Sequence, residues 1–147
     1  MLEIIWGLKT VAMMDVWTIE HILGGLSIGR VVQKINHRVF KNKLGLEKHH
    51  IITKYFDIIG VLFLAYLWEA VEHYLETGIA GETVGYWFQG VEFWPNRLIF
   101  DPLMLVVGYL IIRKYPKLVN FARIFSLIWL ITHIFIFPHS MYLQSLL

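Results

Sequence analysis

Four apolar stretches are the feature that most constrains this chain of 147 residues, because each is long enough, or nearly long enough, to cross a lipid bilayer. A spanning helix needs about 20 apolar residues, with roughly 17–25 as the usual range. The third stretch reaches that length only when the aromatic residues shortly before Leu98 are included. We therefore predict an all-α fold, a four-helix transmembrane bundle that forms one domain over residues 1–147. The predicted spans cover about residues 16–32, 58–75, 94–112 and 118–137.

The composition agrees with a membrane protein and excludes several functions. Hydrophobic residues make up 57% of the chain and charged residues 16%, whereas soluble domains are about half apolar and about a quarter charged. The absence of cysteine excludes disulfides, thiolate nucleophiles and cysteine-ligated metal sites. Because the basic residues do not alternate with aromatic ones, the pattern also argues against nucleic acid as a partner.

Two segments outside the predicted spans carry features of the membrane interface. Residues 2–14 hold Glu3 and Lys9 among apolar residues and lack the basic start and small-residue cleavage site of a signal peptide. We expect them to form an N-terminal helix that lies on the membrane surface. The connection 77–97 is rich in glycine and aromatic residues, a pattern that fits an amphipathic lid and an ordinary aromatic-belt loop equally well.

The basic residues predict the orientation of the chain. Eleven of the 13 Lys and Arg residues fall between the first two spans or around the turn between the last two. The positive-inside rule places both connections on the cytoplasmic side of a cell (inner) membrane and both termini outside. The basic segment at 30–54 is then expected to contact anionic lipid headgroups.

Ionisable residues from all four spans cluster at the predicted outer leaflet. Each one costs roughly 2.5–3.5 kcal/mol near the centre of a span on the milder scales, so a cluster indicates a site. In the second span Glu69, Glu72 and His73 share one helix face through their i, i+3, i+4 spacing. The other members are Glu20 and His21 in the first span, Arg97 and Asp101 at the start of the third, beside the polar but uncharged Asn96, and His133 in the fourth.

Small residues accompany the histidine of the first span. His21 shares a helix face with Gly25 and Gly29. Small residues at this spacing let a second backbone approach closely, which places His21 toward the inside of a bundle. The same face is a candidate contact between two copies of the chain, so we predict a homo-oligomer through Gly25 and Gly29.

Three short motifs carry a resemblance to a known family. They are His21-Ile-Leu-Gly-Gly25, Trp68-Glu69-Ala-Val-Glu72 and Asp101 followed seven residues later by Gly108. Residues 16–112 thereby resemble the VanZ-like small multi-pass membrane proteins of bacteria. The resemblance implies a membrane protein of the cell envelope, in a family linked to glycopeptide resistance. The chain departs from the family pattern at Pro102 and in carrying His73, Asn96, Arg97 and His133.

The cluster favours a small membrane-embedded enzyme, a hydrolase or transferase, that acts on a lipid-linked or otherwise amphiphilic envelope substrate. Carboxylates and imidazoles from several helices suit a divalent metal ion, which would activate a water molecule. Without a metal, a Glu and a His could run acid–base chemistry directly. The predicted catalytic residues are Glu69, Glu72 as a base, and Arg97 as a partner for an acid or an anionic ligand. The predicted metal ligands are His21, Glu69, His73, Asp101 and His133.

Three other functions stay open on the sequence alone. A transporter or proton relay would also use buried Glu and His residues, although the polar residues stop in one leaflet. Haem binding for electron transfer could use His21, His73 or His133, although carboxylates crowd these positions. A non-catalytic membrane accessory subunit would leave the single-leaflet cluster unexplained.

The orientation can be tested with two single-cysteine variants, because the natural chain has no cysteine. We expect a membrane-impermeant thiol reagent, applied to intact cells, to label Ser145→Cys and to leave Asn42→Cys unlabelled. Labelling of position 42 without position 145 would reverse the predicted topology.

Overall fold

The structure is a computed structural model that describes residues 2–40, 50–88 and 90–136. Within these ranges the chain is helical and contains no strand, which confirms the predicted all-α class. The positions chosen for thiol labelling, 42 and 145, lie outside the described residues. The helices are α1 (Leu2–Ile5), α2 (Val16–Val39), α3 (His50–Glu76), α4 (Glu82–Phe88), α5 (Asp101–Lys114) and α6 (Val119–Ile131). Short π-helical segments, Asn96–Phe100 and Thr132–Ile136, precede α5 and follow α6.

Helix α2 begins at a complete capping box. The side chain of Asp15 accepts hydrogen bonds from the backbone N–H groups of Trp17 and Thr18, at 2.7 and 3.2 Å. In return, the Thr18 hydroxyl accepts the backbone N–H of Asp15 at 3.0 Å. This arrangement satisfies donors that the first helical turn leaves unpaired. It also fixes the start of the helix that packs against α3, α5 and α6.

Glycine allows α2 and α5 to approach until their backbones touch. A Cβ atom on Gly25 would lie 2.0 Å from the carbonyl oxygen of Leu105. A Cβ atom on Gly108 would lie 2.2 Å from the carbonyl oxygen of Ile22. Neither position has room for a methyl group, so this crossing requires glycine on both helices.

The same packing corrects the predicted use of the glycine face. Gly25 and Gly29 are covered by α5 of the same chain, and a Cβ on Gly29 would lie 2.9 Å from Tyr109. A contact between two copies through this face does not fit the packing, because α5 already fills it. The sequence showed that a backbone approaches here but not which one.

The apolar core is small, and many large apolar side chains lie on the outside. Two buried clusters join the helices, one around Leu105 and Tyr109 and the other around Leu26 and Ile112. By contrast, Phe63 on α3 is 66% exposed. Other outward-facing apolar residues include Ile59, Leu67, Trp68, Phe121, Ile124 and Ile128.

Among the described helices, one segment is long and apolar enough by itself to cross a membrane, residues Thr53–Glu76 of α3. It contains the predicted second span. The predicted first span lies within α2, which continues to Val39. The last two predicted spans coincide with shorter helices and their π-helical extensions. The length and hydropathy of the described helices therefore support one membrane span, and the four-span bundle stays a prediction.

The predicted surface helix over residues 2–14 is wrong beyond its first turn. The helix ends at Ile5, and the chain folds back so that the N–H of Gly7 donates to the carbonyl of Met14 at 3.1 Å. The reversal buries Lys9, which is 2% exposed. The local apolar pattern could not reveal this reversal, because the buried partner of Lys9 is Glu76, 67 residues away in the sequence.

Polar residues also reach the end of the bundle opposite the start of α2. Asp57 is buried there and accepts hydrogen bonds from Asn36 at 2.8 Å and from the hydroxyl of Tyr109 at 3.0 Å. The expectation that buried polar groups stop at one end is therefore wrong. These contacts link α2, α3 and α5 at this end.

The close crossing of α2 and α5 can be tested with neighbouring glycines. We expect Gly25→Ala to destabilise the protein by about 1–3 kcal/mol, because the new methyl group forces the helices apart. Gly24→Ala is the matched control, since its nearest neighbour is a Leu105 side-chain atom at an ordinary 3.9 Å. Thermal unfolding of detergent-solubilised protein, followed by circular dichroism, measures both. Equal stability of the two variants would contradict the packing described here.

Candidate metal centre

Three helices bring one histidine and two carboxylates together in the interior. His21 of α2 lies with its Nε2 atom 3.2 Å from Oδ2 of Asp101, the first residue of α5. Its Nδ1 atom lies 3.8 Å from Oε1 of Glu69 on α3. One ligand atom from each residue falls within 4.8 Å of the other two, and all three residues are buried. The group thus has the size and donor types of a divalent-metal site.

The glycine contact accounts for the closeness of His21 and Asp101. Gly25 lies one turn after His21, and Gly108 lies two turns after Asp101. Backbone contact at the glycines brings the preceding turns of both helices together as well. Asp101 also accepts a hydrogen bond from the Thr18 hydroxyl at 3.4 Å, so the capping box of α2 contacts the same carboxylate.

In the group of His21, Glu69 and Asp101, Glu69 is the residue whose two carboxylate oxygens both lack a hydrogen bond. It is 2% exposed, and neither of its carboxylate oxygens has a hydrogen-bond partner. Burying a carboxylate is costly unless it is paired with a cation and hydrogen-bonded. His21, at 3.8 Å, is the charged partner recorded for Glu69 in the described part of the chain. A bound cation would supply the positive charge and the direct contacts that the carboxylate of Glu69 lacks.

Two of the predicted metal ligands lie elsewhere. The side chain of His73 is 44% exposed, and its Nδ1 accepts a hydrogen bond from Arg97. His133 is buried against the ring of Trp17, and its Nδ1 donates to the carbonyl of Trp129 at 2.8 Å. Neither histidine belongs to the His21 group. Helix spacing alone could not show this, because it places His73 on the face of Glu69 without giving its direction.

The predicted catalytic residues surround the group at different distances. Glu69 belongs to it, whereas Glu72 lies one turn farther along α3, 3.9 Å from the ammonium group of Lys9. Arg97 lies 4.0 Å from Glu76. Its predicted pairing with an acid is therefore found at Glu76, and not at Asp101 or Glu69.

A buried ion pair was missed in the sequence. Lys9 donates to Glu76, whose side chain is fully buried, and the backbone N–H of Glu92 donates to the same carboxylate at 3.1 Å. No local pattern signals this pair, because 67 residues separate its members.

Two further buried acids, Asp15 and Glu92, were also missed as members of the cluster. Asn96 lies between them and donates to both. Burial and the neighbouring Asp101 raise the pKa of Asp15 to about 7. The same two causes, burial first, raise the pKa of Glu92 to about 11. Asp15 before an apolar run was a recognisable helix cap, but its place beside Asp101 was not.

Acidic groups outnumber basic groups at this end of the bundle. Apart from the half-exposed His73, which lies 3.9 Å from Glu76, three groups that can carry positive charge, Lys9, His21 and Arg97, face twice as many carboxylates among the described residues. The carboxylates belong to Asp15, Glu69, Glu72, Glu76, Glu92 and Asp101. We refer to these nine residues as the acidic cluster.

Comparisons with protein-family models, with curated proteins and with solved structures gave no match. The resemblance to VanZ-like proteins accordingly rests on the three short motifs.

The pair of Lys9 and Glu76 yields a test of the cluster's electrostatics. We expect Lys9→Met to lower the free energy of unfolding by roughly 3–5 kcal/mol, because it removes the buried cation that contacts Glu76 and leaves Arg97, 4.0 Å away, as a more distant partner. The double variant Lys9→Met/Glu76→Gln should recover much of this loss, since Gln keeps an oxygen for the N–H of Glu92. Lys34→Met, at an exposed position, is the control. Thermal melting distinguishes the four proteins, and a double variant no more stable than Lys9→Met would contradict the pairing.

Proposed function

We propose that this chain is a small integral membrane enzyme that uses a divalent metal ion held by His21, Glu69 and Asp101. The observation that carries the proposal is the state of Glu69, a buried carboxylate with two unpartnered oxygens beside an imidazole and a second acid. Hard and borderline divalent ions favour this donor set. Three protein ligands also leave coordination positions for a substrate.

The distribution of side chains supports a multi-pass membrane protein. Charged residues such as Glu69 and Asp101 lie inside, whereas large apolar residues such as Phe63, Phe121 and Ile124 are each more than 60% exposed. A monomeric soluble domain rarely exposes apolar surface on this scale. Lipid tails would cover these faces of α3 and α6, which supports the proposal of four crossings, and the basic connections between the spans favour both termini outside.

The acidic cluster defines the chemistry that the chain's own residues can perform. A divalent ion held there would act as a Lewis acid toward a water molecule or a substrate group. Glu72 lies near the candidate ligands and can accept a proton as a general base. Arg97 is partly exposed beside His73 and can pair with an anionic substrate group.

A lipid-linked or otherwise amphiphilic envelope substrate fits this location best. The candidate ligands lie near the start of α2 and the end of α3, close to helix α4. Tyr86 and Trp87 of α4 are exposed, which is typical of aromatic residues at a membrane interface. A polar head could therefore reach the acidic cluster while its apolar tail stays in lipid.

Proton relay or transport is the second candidate function, because of one specific observation. Asp57 places a second buried carboxylate at the opposite end of the bundle. The apolar residues Val61, Ala65 and Leu105 form a buried cluster in the same bundle, and α3, which holds the first two, carries acids near both of its ends. A relay would need water or a rearrangement to connect the two ends, so we rank this function below the enzyme.

The variant Glu69→Gln tests the metal centre directly. We expect it to lose most bound metal while the protein still folds and inserts, because Gln preserves shape but removes a ligand charge. Removing a charge from an apolar setting should leave the metal-free protein equally or more stable. Glu82→Gln, an exposed acid on α4, is the matched control.

Metal content by mass spectrometry and thermal stability are measured side by side for both variants and the natural protein. Full metal content in Glu69→Gln would rule out Glu69 as a ligand. Loss of stability in the metal-free variant would instead assign Glu69 a structural role.

A further inference from the structure

The hydroxyl of Thr18 connects the cap of α2 to one acid of the candidate metal centre. Its oxygen accepts the backbone N–H of Asp15 at 3.0 Å and lies 3.4 Å from Oδ1 of Asp101. A hydroxyl carries one hydrogen and two lone pairs. Because Asp15 approaches a lone pair with its own hydrogen, the hydrogen of the hydroxyl is left for Asp101. Thr18 is 3% exposed, so both contacts lie in the interior.

The two oxygens of Asp101 have different neighbours. Oδ1 accepts the hydroxyl of Thr18, whereas Oδ2 is buried and accepts no well-aligned hydrogen bond. Oδ2 lies 3.2 Å from Nε2 of His21, so it is the oxygen that faces the candidate metal centre. Hydrogen-bonded partners of ligating carboxylates orient them and tune their affinity for a metal ion. The arrangement therefore leaves Oδ2 available to a metal ion while Oδ1 is held.

The direction of the Thr18 side chain does not depend on Asp101. Thr18 is the third residue of α2, and its backbone N–H donates to the side chain of Asp15 at 3.2 Å. A threonine in a helix also has few χ1 rotamers, because its side chain branches at Cβ. The capping box thus presents the hydroxyl from a rigid point. A rigid donor can hold the carboxylate of Asp101 in one orientation, whereas a mobile donor would follow it.

The cap of α2 and the contact with Asp101 use different parts of one hydroxyl. The cap uses a lone pair of the Thr18 oxygen, and Asp101 uses the hydrogen. A cap with no further role would affect the stability of the protein and leave the metal affinity of the folded state unchanged. A donor that orients a metal ligand would change that affinity as well. Metal affinity therefore separates the two roles.

We propose that Thr18 is a positioning residue of the metal centre, whose hydroxyl holds Oδ1 of Asp101 and thereby presents Oδ2 to a metal ion beside His21. The inference rests on the proposed function and deepens it, because it identifies a residue outside the ligand set on which metal binding depends. Loss of such a partner weakens metal affinity by about 10–100-fold. The role needs only the hydroxyl, so Thr18→Ser should preserve it.

Titration of the full-length, detergent-solubilised protein with Co²⁺ tests the proposal, since the visible absorption of the bound ion reports both affinity and coordination geometry. Thr18→Val keeps the shape of the side chain without its hydroxyl. We expect this variant to bind Co²⁺ about 10–100-fold more weakly and with a changed spectrum. Thr18→Ser should match the natural protein in both respects. Ser27→Ala is the matched control, because it removes another hydroxyl of α2, which accepts a hydrogen bond from Arg123.

Thermal melting without metal shows whether each variant folds. Thr18→Ala, which adds no volume, repeats the measurement if Thr18→Val does not fold. Unchanged Co²⁺ affinity in the variant that lacks the hydroxyl, or an equal loss of affinity in Thr18→Ser, would overturn the positioning role and leave the metal centre intact. A natural protein that binds no Co²⁺ would instead overturn the metal centre, and this inference with it.

Discussion

The backbone contact between α2 and α5 is the constraint on which the rest of the structure depends. Gly25 and Gly108 leave no room for a side chain between the two helices. Their contact brings His21 within 3.2 Å of Asp101, on the preceding turns of the same helices. With a wider crossing, the imidazole and the carboxylate would each be buried without a partner. Packing and the candidate metal centre are therefore two consequences of one contact.

A second consequence is the concentration of charge at one end of the bundle. Helix α2 begins, α3 ends and α5 begins at this end, and the acidic cluster draws its acids from the cap of α2, from α3, from the start of α5 and from Glu92 before it. The N-terminal segment folds back over it and supplies Lys9 as an internal cation. Because carboxylates outnumber the available cations, this end carries excess negative charge unless acids such as Glu92, whose pKa is raised to about 11, stay protonated. Under the proposed function, a divalent ion would balance part of this charge and link the stability of this end to its chemistry.

The positions of the elements were predictable, whereas several partners were not. The apolar stretches located α2, α3 and the last two helices, because a continuous apolar run of about 20 residues is long enough to mark a helix by itself. The spacing of Glu69 and the glycine face of His21 correctly indicated residues that turn inward. The pairing of Lys9 with Glu76 and the separation of His73 from the group left no such signal. These outcomes depend on side-chain direction and on contacts between distant segments.

The sequence by itself determined that the chain is helical, rich in outward apolar surface and unusually acidic within its apolar stretches. These properties follow from composition and periodicity, which act locally. Only the tertiary structure decided which acids meet. It chose α5 of the same chain as the neighbour of the glycine face, and it joined Asp15 and Glu92 through the amide of Asn96. The physical reason is that helix crossing and chain reversal are set by the packing of whole elements, which no short motif encodes.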